Sequence, residues 1–331
     1  MMLFGSPRVS LRRFYYIGSS LFPSSSGSRS TSAFLSSTSN LDPTVSLDFN
    51  RDASLAVLTL CNTKRRNALT YSMMHQLDVH IKTLQEWCHG MSTQNNSRAL
   101  ILTGSGGTFC AGLDIQQHDE NDRLRDGREM AQHMTILTNC IHSLPVLSVA
   151  AVDGNAIGGG AELTTCTDLV VLSRQSAIKF VHASRGASPG WGGGRRLVNR
   201  VGRRKALRML LLGEAVLGEE ETQQLDYADY VADEGESSFD AAIRLIADPI
   251  IDLPCSKSVR AIKRVASIAD GDEKVINTIS GKLRYMVDED LEDKDTSVKT
   301  EIDAFTKIWG GKSNRELIQQ TRDRLKDKKT S

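Results

Sequence analysis

The sequence predicts an α/β fold closed by a helical C-terminal third, and three observations predict it. The N-terminal two thirds repeat strand, strand, helix. Val146–Val152 is almost wholly apolar, as expected of a strand covered on both faces. After Pro254 the pattern is helical to the end, broken near Gly271 and at Gly310–Gly311. A chain of 331 residues suffices for one large domain or two modest ones. Its hydrophobic fraction of 40% supplies an ordinary core.

The elements follow in order. Thr44–Phe49 and Ser54–Leu60 read as strands joined by the turn-forming Asn50-Arg51-Asp52. Asn67–Ala68 opens a loop into a helix over Tyr71–Cys88, where Met74, Leu77, Ile81 and Leu84 recur on one face. The polar stretch Gly90–Ser97 ends it, and Ala99–Leu102 is a short buried strand. A charged loop, Ile115–Arg128, leads to a helix over Met130–Leu144 that stops before Pro145. Beyond Val152, a glycine run opens a short helix, Ala161–Cys166, followed by strands Leu169–Leu172 and Ala177–Val181. Arg195–Leu212 reads as a helix with a basic outer face, and Glu219–Asp229 and Phe239–Ile246 as further helices. No sharp internal repeat is visible.

Composition narrows the function. A net charge of +1 argues against nucleic acid as the main partner. No apolar run approaches the length needed to span a membrane. The six cysteines form no Cys-x-x-Cys pair, so neither a disulfide framework nor a zinc site is indicated. The first 41 residues are set apart. They carry Arg8, Arg12, Arg13 and Arg29, abundant serine and no acid. That composition resembles a mitochondrial presequence, with a disordered tail as the plainer reading. Without it the net charge is about −3.

Two glycine runs carry the functional signal. One is Gly106-Gly107-Thr108-Phe109-Cys110-Ala111-Gly112-Leu113-Asp114; the other is Gly154-Asn155-Ala156-Ile157-Gly158-Gly159-Gly160-Ala161-Glu162. Each follows an apolar strand-like segment. Bare backbone N–H groups at two such turns are equipment for holding an enolate oxygen, with the Glu162 carboxylate nearby. Singly, the runs also suit ordinary tight turns, and Glu162 suits a first-turn helix acid favoured by the dipole. The glycine order departs from G-x-G-x-x-G, and no P-loop is present. Gly186-Ala187-Ser188-Pro189-Gly190 matches G-x-S-x-G. However, an oxyanion donor is needed after the serine, and Pro189 has no N–H.

Taken with Asn67-Ala68-Leu69 and Pro189-Gly190-Trp191-Gly192-Gly193, these motifs make the chain resemble the crotonase (enoyl-CoA hydratase/isomerase) superfamily over about Val45–Lys312. Within it the chain looks most like the ethylmalonyl-CoA decarboxylases. The telling stretches are Gly159–Thr165, Lys179–His182, Pro189–Gly193 and Trp309–Gly311. The resemblance implies a spiral of ββα repeats over residues 42–250 carrying an acyl-CoA site, and a helical trimerisation region over 251–331. It implies a homotrimer or dimer of trimers. Coenzyme A is part of the substrate, with no separate cofactor and no metal. The oxyanion hole carries over to the N–H groups of Leu113 and Gly159. Glu162 and His182 are the candidate catalytic side chains, either one the proton donor. Lys64, Arg65, Ala68, Ala111, Asp114, Gly158, Pro189 and Trp191 are expected to line the substrate. Hydratases of the superfamily use a second glutamate, which would fall near His182–Arg185, where this chain has no acid. That favours decarboxylation of ethylmalonyl-CoA, and more weakly methylmalonyl-CoA, over the alternatives. These are hydration or isomerisation of enoyl-CoA in β-oxidation, and a non-catalytic RNA-binding or structural subunit. The presequence-like start places the protein in the mitochondrion, whereas the decarboxylase likeness implies the cytosol.

Overall fold

Strand pairing organises the chain into two sheets. A computed structural model describes residues 43–50, 54–89, 97–116, 122–251, 253, 256–269 and 296–330. The six-stranded sheet has the order β1 (Thr44–Asn50), β2 (Leu55–Cys61), β3 (Ala99–Gly104), β4 (Leu147–Val152), β6 (Leu169–Leu172) and β9 (Tyr230–Val231). Only β1 and β2 run antiparallel in it. A smaller sheet joins β5 (Asn155–Ile157), β7 (Ala177–Lys179) and β8 (Val216–Leu217).

The large sheet is covered on both faces, as the apolar strands require. Ala56, Leu58, Leu100, Leu102, Ala150 and Val152 point into the main core. There they meet Met74, Leu77, Ile81 and Leu84 of α1 (Tyr71–His89) and the inner face of α2 (Gly127–His142). The alternate residues Leu55, Val57, Ala99, Ile101, Val149 and Ala151 form a second core with α6 (Ser238–Ile246). This period-two division is the pleat made visible.

The strand, strand, helix repeat is realised by sending successive strands to different sheets. Strands β4 and β6 enter the large sheet, and the strands that follow them, β5 and β7, enter the small one. Each pair leads into a helix: α3 (Gly159–Thr164) after β5 and α4 (Gly193–Leu211) after β7. After β3, Cys110 makes a single parallel bridge to Ala156 and so extends the small sheet.

Several expected boundaries move. Helix α2 begins at Gly127 because Asp126 caps it, accepting from the N–H groups of Arg128 and Glu129. The basic helix is interrupted at Gly202, whose φ of 77° is non-helical. Its face is not uniformly outward, since Arg196 is buried. Helix α5 (Gly218–Leu225) stops short of Asp229, because Asp226 adopts a left-handed φ of 57°. The C-terminal third contributes α7 (Ser256–Ala269), α8 (Thr296–Ile308) and α9 (Lys312–Thr330). The presequence-like residues 1–41 and the break at Gly271 lie outside the described residues.

Candidate active site

The site forms where three loops are stitched side by side. Asn67 is the fastener. Its amide donates to the carbonyls of Ser105 (2.8 Å) and Thr108 (2.7 Å), and its Oδ1 accepts from the Asn62 N–H (2.8 Å). Leu69 then clasps the next loop, its N–H on the Gly112 carbonyl (2.7 Å) and its carbonyl on the Asp114 N–H (2.8 Å). On the other side the Cys110 N–H meets the Asn155 carbonyl (3.0 Å), and the Ile157 N–H meets the Cys110 carbonyl (2.9 Å). The glycines permit this approach. Gly112 has a φ of +88°, and a Cβ there would stand 2.7 Å from the Ile157 carbonyl and 3.2 Å from the Gly159 nitrogen.

Two N–H groups are thereby left over. Neither Leu113 nor Gly159 donates its N–H to another described residue. For Gly159, the first residue of α3, no earlier helical carbonyl exists. Trp191 roofs this point: a Cβ on Gly159 would overlap its ring carbons. The neighbouring Cys110 thiol is fully buried, and burial pushes it up to about 12, so it is no nucleophile at neutral pH.

Glu162, one turn into α3, is buried with both carboxylate oxygens engaged. Oε2 accepts from the Trp191 N–H (2.8 Å) and the Gly193 N–H (3.0 Å). Oε1 accepts from the Gly190 N–H (3.3 Å) and lies 2.9 Å from His182 Nε2. With the carboxylate as acceptor, Nε2 carries a hydrogen. His182 Nδ1 is buried and has no hydrogen-bond partner among the described residues. Glycine is needed at 193, where a Cβ would stand 2.5 Å from Glu162 Cγ.

The same turn starts α4, whose cap Gly192 has no side chain to satisfy the orphan donors. A second carboxylate does so. Glu301 of α8 accepts from the Gly194 N–H (3.2 Å) and the Arg195 N–H (3.0 Å). Buried Arg196 lies beside both acids and binds Asn139 Oδ1 (2.8 Å), Thr165 Oγ1 (3.1 Å) and the Trp191 carbonyl (2.7 Å). Burial, ahead of the charged neighbours, lowers its guanidinium from the usual value. Thr138 also donates to the Trp191 carbonyl (2.7 Å).

Residues 50–225 match the family profile described as enoyl-CoA hydratase/isomerase. The chain belongs to the enoyl-CoA hydratase/isomerase family. Within it, the chain is 32% identical over 274 residues to ethylmalonyl-CoA decarboxylase of Xenopus tropicalis, covering 82% of each chain. It is likewise 32% identical over 277 residues to the Danio rerio enzyme of that name, covering 83% of this chain and 82% of that one. A crystal structure of an enoyl-CoA hydratase/isomerase from Mycobacterium paratuberculosis shares the fold, with a TM-score of 0.65 at 20% identity over 83% of this chain and 97% of that chain. The family's shared chemistry is an acyl-CoA reaction whose developing oxyanion is held by main-chain N–H groups. Among the described residues no helix is long and apolar enough to cross a membrane.

In this family member the sequence-predicted residues are distributed unevenly. Gly158, Gly159, Glu162, His182 and Trp191 converge directly, and Leu113 joins them through the Gly112 contact. Pro189 flanks the turn, its Cβ 3.3 Å from where a Gly194 Cβ would stand. Ala68 and Ala111 belong to the stitched loops, with the Ala111 N–H on the Arg66 carbonyl (3.0 Å). Asp114 turns back to accept from the Gln116 N–H (2.9 Å). Lys64 is exposed and Arg65 half-buried on the short 3-10 turn Thr63–Arg65. Ser188 follows a 3-10 turn, Ala183–Arg185, rather than a strand, which removes the nucleophile elbow. Glu301, Arg196 and Thr138 were missed. A helical acid, a basic residue in a basic helix and a mid-helix threonine carry no local signature of a buried partner.

Proposed function

We propose that the chain decarboxylates ethylmalonyl-CoA, and more slowly methylmalonyl-CoA, giving butyryl-CoA or propionyl-CoA. Loss of CO₂ breaks the bond between the carboxylate and the α-carbon. The electron pair passes to the α-carbon and thioester oxygen, and the Leu113 and Gly159 N–H groups take the oxyanion. An apolar surround favours departure of the carboxylate as neutral CO₂. One proton then completes the α-carbon. We assign that delivery to His182 Nδ1 in the imidazolium form, with Nε2–H kept on Glu162 and the ring reloaded from water. Glu162 thus fixes the ring as the carboxylate of a triad fixes its histidine.

The bonding of Glu162 carries this reading. Hydration needs an acid and a base poised on one small molecule. Here the carboxylate is spent on three main-chain donors and one imidazole, and no acid lies between His182 and Ser188. The decarboxylase relatives support the same choice.

The test is CO₂ release from ethylmalonyl-CoA and methylmalonyl-CoA, run beside hydration of crotonyl-CoA. We expect release from both, faster from the ethyl compound, and a loss on the order of a hundredfold in His182→Ala. Brisk hydration without CO₂ release would transfer the chain to the hydratases. Failure to bind any acyl-CoA, together with selective RNA binding, would make it a non-catalytic family member.

A further inference from the structure

The turn Gly190–Arg195 is held by two carboxylates from distant parts of the chain. Glu162 takes the N–H groups of Gly190, Trp191 and Gly193, and Glu301 takes those of Gly194 and Arg195. We propose that Glu301 is a positioning residue for the Glu162–His182 pair. It acts by occupying the two donors that would otherwise compete for the same carboxylate. The proposal deepens the function above and rests on it for the meaning of turnover.

The physical case is one of shared donors. Five N–H groups lie within six consecutive residues, and three of them, on Gly193, Gly194 and Arg195, open α4 with no acceptor inside the helix. One carboxylate cannot serve all five and still hold an imidazole in a fixed direction. If Glu301 is removed, the Gly194 and Arg195 N–H groups lose their acceptor. Glu162, already bonded to the adjacent Gly193, is the other carboxylate on that turn. Any drift of Glu162 towards them pulls Oε1 from His182 Nε2. Helix α8 is fixed where this control demands. Phe305 packs on Gly190 so closely that a Cβ there would stand 2.5 Å from its Cγ. Phe305 stacks on Trp309 at 5.1 Å, and Asp303 pairs with Arg128 at 2.7 Å.

The experiment uses the full chain with Glu301→Ala and Glu301→Gln, and Lys307→Gln, at an exposed position, as a control on the same helix. In substrate-free protein labelled at histidine, the His182 Nε2–H resonance reports the bond to Glu162 without any reaction. We expect that resonance to shift or broaden in Glu301→Ala, and to shift less in Glu301→Gln, which keeps one acceptor oxygen. It should stay in place in Lys307→Gln. On turnover, kcat should fall on the order of tenfold in Glu301→Ala, while KM for the acyl-CoA stays within about threefold. Glu301→Gln should recover part of the loss. An unchanged resonance in both folded Glu301 variants overturns the proposal, whatever happens to thermal stability, because a merely structural role would lower stability alone. If Glu301→Ala does not fold, the resonance in Glu301→Gln decides: a shift supports the proposal and an unmoved signal overturns it. Absence of CO₂ release in the unaltered enzyme would instead concern the reaction and leave the resonance test standing.

Discussion

At the scale of single residues, the site depends on places where a side chain is forbidden. Gly159 is the sharpest of these, because any Cβ would enter the Trp191 ring. That ring has little room to yield, since Trp191 is buried in the core. Gly159→Ala is therefore expected to displace the oxyanion donor and lower kcat about a hundredfold to a thousandfold, as loss of one such donor does. Steady-state kinetics on circular-dichroism-verified protein checks this; a kcat near that of the unaltered enzyme would remove Gly159 from the hole. The glycines and Glu162 were legible as candidates only through their joint pattern, since each alone also suits an ordinary turn or a first-turn helix acid. The direction of the Glu162 carboxylate was not legible. Its donors lie on the turn at Gly190–Gly193, and only the fold brings that turn back to α3.

At the scale of elements, helix α8 brings a chargeable group into a crowded place. Burial first, and then the negative charge of Glu162, push the Glu301 carboxyl up from its usual range, opposed by Arg196 and the two N–H groups. An acid held above its unfolded value binds more protons in the native state. Its contribution to stability is complete below the ordinary carboxylate range and drains away as pH rises through the raised value. We therefore expect the unfolding free energy of the unaltered protein, minus that of Glu301→Gln, to fall as pH rises above the ordinary carboxylate range, about pH 4. Urea unfolding over that rise measures the difference, and a flat or rising line would contradict the assignment. The elements themselves were largely readable where one face is apolar, as in α1, or where both faces are, as in β4. The two-residue strands β8 and β9 were not, because so short a segment has no periodicity to show. Nor was the interruption at Gly202, which hides inside a continuous basic pattern.

At the scale of the whole molecule, the strand, strand, helix order was legible, but no residue-level repeat was, because the units share geometry rather than residues. The pairing of alternate strands into different sheets exposes that geometry. The assembly and address remain proposals: a homotrimer or dimer of trimers, sent to the mitochondrion by residues 1–41. A chain lacking those residues should keep a native mass of three or six chains and the same CO₂ release, yet stay in the cytosol while the full chain is imported. Light scattering and imaging of tagged copies decide both points; import of the shortened chain would sink the address, and a monomer would sink the assembly. One further consequence follows from Phe305 and Glu301 resting on the Gly190–Arg195 turn. Protein synthesis runs from the amino end, so the pocket's loops emerge from the ribosome well before the helix that braces them. A nascent or prematurely terminated chain holds an unfinished pocket, which ties the onset of activity to completion of translation.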